Sequence, residues 1–138
     1  MISPQLAVKD VDAAVAFYTQ KLGFKHDFSM AGPDGTNNFG WVSLGKGNFG
    51  LGHDPQTYDK GKGVVFVISV PDDVNLDTYY EEIQGRGVAI VEPIQDQYWG
   101  DRTFTVHDLD GYILMFAKTL QQLPLDEVQS VHEKVTQN

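Results

Sequence analysis

The chain contains no cysteine. Disulfides, thiolate metal ligands and a cysteine nucleophile are therefore excluded. Basic residues are scarce: 10 Lys and Arg stand against 19 Asp and Glu, a net charge of −9. Binding to nucleic acid needs clustered cations to neutralise phosphates, so no nucleic-acid partner is expected. The acidity is compatible with a cationic ligand, although an ordinary solvated acidic surface gives the same balance. No apolar run reaches the ~18 residues that cross a bilayer, so no membrane partner is expected. The opening residues lack the basic-then-apolar layout of a signal peptide, and the expected location is the cytoplasm. The sequence also lacks a Gly-x-x-x-x-Gly-Lys-Ser/Thr phosphate loop and a Gly-x-Ser-x-Gly nucleophile elbow.

What is present fits one globular domain. The 138 residues suffice to bury a core, and 41% apolar with 21% charged residues is an ordinary balance. Ile2 to Val8 can form a strand. Asp10 is a good N-cap, and Val11, Ala14, Val15, Tyr18 and Leu22 then recur at helical spacing before Gly23, which predicts a helix from Asp10 to Leu22. Phe24 to Met30, Phe39 to Leu44 and a run starting at Phe49 and ending near His53 read as strands. Turn-forming residues at 31–38 and 45–48 separate them. Asp54 to Lys62 is polar and suits a linker. Gly63 to Val70 reads as a buried strand. Pro71-Asp72-Asp73 can open a helix whose apolar face is Leu76, Tyr79, Tyr80 and Ile83, and Val88 to Val91 is a further strand.

The most informative stretch runs from Ile94 to Lys118. Thr103 to Val106 and Tyr112 to Ala117 are rich in β-branched and aromatic residues, and His107-Asp108-Leu109-Asp110-Gly111 lies between them. Aspartates bond nearby backbone amides and Gly111 supplies a positive φ, so this is a β-hairpin. The turn accounts for Asp108 and Asp110 better than an acid/base pair does. The second half thus repeats the element order of the first. Past the repeat, Leu125, Val128, Val131 and Val135 form a sparse apolar stripe. They predict a short helix docked on the domain or on a partner subunit, with a frayed tail as the alternative.

Asp108-Leu109-Asp110-Gly111-Tyr112-Ile113-Leu114-Met115-Phe116 resembles the last hairpin of the glyoxalase/bleomycin-resistance/extradiol-dioxygenase superfamily, the vicinal oxygen chelate proteins. The run Val8 to Tyr18 with Leu22-Gly23-Phe24 resembles the opening strand and helix of that superfamily. Leu109 replaces the usual Pro, and Met115 stands where the metal-binding enzymes place their last carboxylate. The resemblance implies an α+β fold: two βαβββ modules forming a curved sheet around a cavity, plus a short C-terminal helix. It further implies a single domain over 1–118, with modules 1–54 and 63–118, and a helical extension over 119–138.

Metal-dependent members of the family hold a divalent ion with His and Glu from strands of both modules. Carried onto this chain, those positions fall near Ser3 (or Gln5 in a frame shifted by two), Gly50, the strand around Val65, and Met115. None is a competent ligand for a hard divalent ion. His26, His53 and His107 have no spacing that pairs them on one element. No metal, no cofactor and no catalytic residue is therefore assigned. Aromatic residues cluster instead, and Trp99-Gly100-Asp101-Arg102 resembles the spot where family members carry a cavity-bordering Trp. Phe39, Trp41, Phe49, Leu51, His53, Tyr98, Trp99 and Met115 are the expected ligand-binding residues, with Arg102 as partner of a carboxylate. The resemblance favours the bleomycin-resistance branch: a homodimer that binds an aromatic or cationic small molecule and leaves it unchanged. The alternative is a lactoylglutathione lyase-like or dioxygenase-like enzyme with a displaced metal site.

Overall fold

The computed structural model describes residues 3–54 and 61–136. Most of the expected linker, and the start of the first expected strand at Ile2, lie outside the described residues. The first half comprises β1 (Gln5–Val8), α1 (Val11–Ala16) with a π-helical turn (Phe17–Lys21), β2 (Lys25–Ala31), β3 (Asn37–Leu44) and β4 (Gly47–His53). The second comprises β5 (Val65–Ser69), α2 (Leu76–Gly85), β6 (Ile90–Asp96), β7 (Asp101–His107) and β8 (Ile113–Thr119), and α3 (Leu125–Val135) follows. Each half is a four-stranded sheet of the same topology, in the orders β1-β4-β3-β2 and β5-β8-β7-β6. β1 pairs with β4 and β5 with β8 in parallel, while the other pairings are antiparallel. The expected α+β architecture of two βαβββ modules with a short C-terminal helix is the observed one.

Local chemistry explains most boundaries and three departures from expectation. Asp10 caps α1 through its carboxylate, which accepts from the Ala13 amide at 3.0 Å. The expected unbroken helix to Leu22 instead widens into a π-turn after Ala16. There the Thr19 hydroxyl donates to the Val15 carbonyl at 2.8 Å, a side-chain bond that competes with the helical ladder. The second helix begins at Leu76 rather than at Pro71, because Pro71 to Val74 closes a turn of its own. The cap is Asn75, whose side chain accepts from the Thr78 amide at 3.0 Å. β6 runs through Pro93 to Asp96 rather than stopping at Val91. It is an edge strand with two register shifts between Ile90 and Gln95, where a residue without an amide hydrogen is tolerated.

The two halves share one core. Leu6, Val8, Val11, Tyr18, Leu22, Phe24 and Leu51 of the first pack in a single buried cluster with Ile68, Tyr79, Phe104, Leu114 and Phe116 of the second. Phe24 meets Phe116 edge-on at 6.5 Å, and Phe49 meets Phe66 at 5.2 Å. The Tyr79 hydroxyl donates to the Leu22 carbonyl at 2.5 Å and the Tyr112 hydroxyl to the Ala7 carbonyl at 2.9 Å. Helix α3 departs from the expected docking on the domain: none of its residues is buried, and Leu125 is 80% exposed. Its polar tie to the rest of the chain is Tyr98, whose hydroxyl lies 2.6 Å from His132 Nδ1. Among the described residues no helix is long and apolar enough to cross a membrane.

Candidate functional site

A strand offers alternate side chains to opposite faces of its sheet, so the cross-strand register sorts the expected site residues. In the first sheet, Leu6, Val8, Val42 and Leu51 point to the shared core. The other face carries Gln5 and Ala7 on β1, opposite Gly50 and Gly52 on β4. Trp41 then lies opposite Gly50 and Phe39 opposite Gly52, while Phe28 and Met30 of β2 lie opposite Trp41 and Phe39. This face is open. Phe28 is 46% and Met30 53% exposed, and a side chain at Gly52 would meet nothing within 4 Å.

Three rings share that face in an arrangement the distances define. Phe28 and Trp41 are inclined by 10°, Phe39 and Trp41 by 26°, and Phe28 and Phe39 by 30°. Their centroids are 6.2, 6.1 and 6.2 Å apart. A column of stacked rings would separate its outer members by twice the neighbour distance. Equal separations instead group the three rings in one compact cluster of mutually stacked contacts, the aromatic plate of this face. Beside it, Phe39 and His53 line a shallow depression of about 300 Å³ with Gln5, Ala7 and Gly52.

The structure does not bring all the expected residues to this place. Leu51 is fully buried on the core face between the sheet and α1, so it faces no ligand; its glycine neighbours occupy the open face instead. Phe49 is likewise a core residue, packed against Tyr18, Phe24 and Phe66. Tyr98 and Trp99 sit on the turn before β7. Trp99 donates its indole N–H to Asp101 at 2.9 Å, and Tyr98 packs edge-on against Trp99 and beside His132. Met115 lies half-buried on the second sheet between Val67 and Thr105. The Thr105 hydroxyl beside it is buried with no hydrogen-bond partner among the described residues. Phe28 and Met30 are the site residues that sequence reasoning missed.

The remaining polar residues have structural partners. Arg102 bridges Asp77 at 2.8 Å and Asp96 at 2.7 Å, as expected for a partner of carboxylates, and its hydrogen bonds hold the Asp77 carboxyl below the usual range. Asp108 makes the expected turn, accepting from the amides of Asp110 at 2.9 Å and Tyr112 at 2.8 Å. Its second oxygen also accepts from the Tyr18 hydroxyl at 2.7 Å, a buried bond between the two halves. Burial above all, then the Asp108 carboxylate, pushes the Tyr18 phenol well above its ordinary range. Burial also raises Asp108, against the opposing pull of its hydrogen bonds.

The register also bears on the positions that the resemblance assigns to a metal. Gln5, rather than Ser3, lies opposite Gly50, and Val67, rather than Val65, lies opposite Met115. An amide, a glycine, a valine and a thioether are not a donor set for a divalent ion. Among the described residues, no three His, Cys, Asp or Glu side chains are close enough to share one. His26 pairs with Ser29 at 2.8 Å and His53 with the Lys9 carbonyl at 3.0 Å.

Residues 2–116 match the family model of the glyoxalase/bleomycin resistance protein/dioxygenase superfamily. The chain belongs to this superfamily. TioX from Micromonospora sp. ML1 is similar in structure, with a TM-score of 0.70 and 25% identity over 86% of this chain and 98% of that one. A glyoxalase/bleomycin resistance protein/dioxygenase from Alicyclobacillus acidocaldarius shares the fold, with a TM-score of 0.68 and 18% identity over 88% of this chain and 92% of that one. An uncharacterized protein of Mycobacterium bovis is 24% identical, over 94% of this chain and 90% of its own length. Membership of the superfamily fixes the fold, whereas the chemistry depends on the residues placed on the two open faces.

Proposed function

We propose that this superfamily member is a metal-free small-molecule binding protein that sequesters a planar aromatic or cationic compound, in the manner of the bleomycin-resistance branch. The aromatic plate of Phe28, Phe39 and Trp41 is the observation that carries this reading. It offers an apolar aromatic surface, partly exposed, beside Gly52, where the face is open, while the Gln5 side chain fills the space at Gly50. Ring faces are electron-rich and attract planar cations as well as neutral rings. The donor-poor residues at the four metal positions support binding without turnover, because isomerase or dioxygenase chemistry in this superfamily uses an ion to polarise oxygen.

In this reading the protein is cytoplasmic and acts as a homodimer. Its ligand-binding domain spans 1–118, and the 119–138 extension contacts the partner subunit. The exposed apolar residues Val65, Val67 and Leu125 support an assembly larger than one chain. The ligand lies between the plate and a face contributed by the second subunit, where Met115 adapts to its shape.

Thermal-shift assays with bleomycin and with planar cations such as proflavine test the proposal. A rise in Tm that is lost in Trp41→Ala supports it. No shift across the panel, or a stoichiometric transition metal retained through dialysis, overturns it in favour of a lyase-like or dioxygenase-like enzyme.

A further inference from the structure

A second cavity lies where the two modules meet, away from the aromatic plate. It has a volume of about 370 Å³, within the size range of small-molecule sites. Its floor is apolar: Phe24, Phe49, Phe66 and Ile68 line it from the two sides of the shared core. Its rim is polar and contributed by Lys46 and Asn48 at the β3–β4 turn and by Ser69 on β5. The remaining lining residues are Pro4, Leu44, Gly47 and Val67.

The charge pattern of this rim is the reverse of the protein as a whole. The chain carries 19 acidic residues against 10 basic ones, yet no acidic side chain lines the cavity and a lysine does. The rim groups are also donors in want of acceptors. Asn48 uses its carbonyl oxygen to accept from the Ser3 hydroxyl at 2.9 Å, which fixes the amide and leaves its NH₂ as the free end. Lys46 and Ser69 stand at the opening with no acceptor bound to the ammonium or the hydroxyl among the described residues. β5 is the edge strand of its sheet, so its outer backbone groups also face this space. An anion placed at the rim gains a charge-assisted bond to Lys46 and meets no like charge, while an apolar body fills the space among the rings.

The geometry points to a second binding site in this inter-module cavity for an amphipathic monocarboxylate: an apolar chain or ring inserted between Phe24, Phe49, Phe66 and Ile68, with its carboxylate held by Lys46 and Asn48. This site is independent of the aromatic plate. It takes an anion, and its lining shares no residue with Phe28, Phe39 or Trp41.

Calorimetric titration of the full-length protein with octanoate and with octanol tests it. Octanoate is expected to bind about tenfold more tightly than the uncharged alcohol. Lys46→Met, a change at an exposed turn, should remove that preference by weakening octanoate about tenfold while leaving octanol unchanged. Ser69→Trp, which blocks the rim from an exposed position, should abolish both. Trp41→Ala should alter neither, which separates this site from the plate: a failed plate leaves these results standing. The inference is overturned if octanoate does not bind, if octanoate and octanol bind equally, if Lys46→Met leaves octanoate binding intact, or if Trp41→Ala removes it.

Discussion

At the scale of single residues, the buried bond from Tyr18 to Asp108 is the connection with the clearest consequences. It joins the π-turn of the first module to the β7–β8 turn of the second. Tyr18→Phe removes the donor and leaves one Asp108 oxygen buried without it, so a loss of about 1–3 kcal/mol is expected in urea unfolding. The pH dependence has a definite sign. Burial raises the folded pKa of Asp108, so the folded state keeps this proton to a higher pH than the unfolded chain does. The stability linked to this group is fully present below the unfolded value near ~3.9 and is lost as pH rises through the folded value. Wild type should therefore lose stability relative to Asp108→Asn as pH is raised from about 4 to neutrality; a constant difference would contradict the account. The turn role of Asp108 was legible in the sequence, because Asp-x-Asp-Gly is a local pattern. Its bond to a tyrosine 90 residues away was not, since only the tertiary fold creates it.

At the scale of elements, most strands and all three helices could be read from spacing and caps, but not which face each strand offers. Phe49 and Leu51 share one face of their strand, and it is the core face, while His53 at the exposed end of the strand borders the depression beside the plate. The open face of β4 belongs to the glycines, which carry no hydrophobic signal to read. Phe28 was hidden by a register shift. Pairing slips between His26 and Phe28, so two residues that simple alternation assigns to one face lie on opposite faces. The pairing of helix and sheet gives an element-scale prediction. A Cβ on Gly40 of β3 would stand 2.7 Å from Val15 Cγ2 and 3.3 Å from Val11 Cγ1 on α1. A β-branched side chain in a helix has little rotamer freedom to move aside. Gly40→Ala should therefore cost about 1–3 kcal/mol by chemical denaturation, and Val15→Ala in the same chain should recover part of it. Equal stability of Gly40→Ala and wild type would show that α1 does not rest this closely on β3.

At the scale of the whole molecule, two modules share one core and still leave apolar surface uncovered. Phe28 and Met30 on the face of the plate, Val65 and Val67 on β5, and Leu125, Val131 and Val135 of α3 are exposed in the single chain. Because α3 has no buried residue, ending the chain after Leu123 should change the unfolding free energy of the remaining fold by less than about 0.5 kcal/mol. It should nevertheless reduce the assembly seen by light scattering; an unchanged mass would remove α3 from the subunit contact. The modular architecture was legible because the second half repeats the element order of the first, whereas the division of the expected site residues between two sheets was not. The most direct test of the central claim uses the fact that the chain has two tryptophans. Trp99→Phe leaves Trp41, one of the three rings of the plate, as the sole tryptophan. Titration of this variant with proflavine should give saturable quenching of Trp41 emission with a defined stoichiometry, abolished by adding Phe28→Ala. Emission unchanged through the titration, with the variant folded, would contradict the assignment of the plate as the ligand-binding surface.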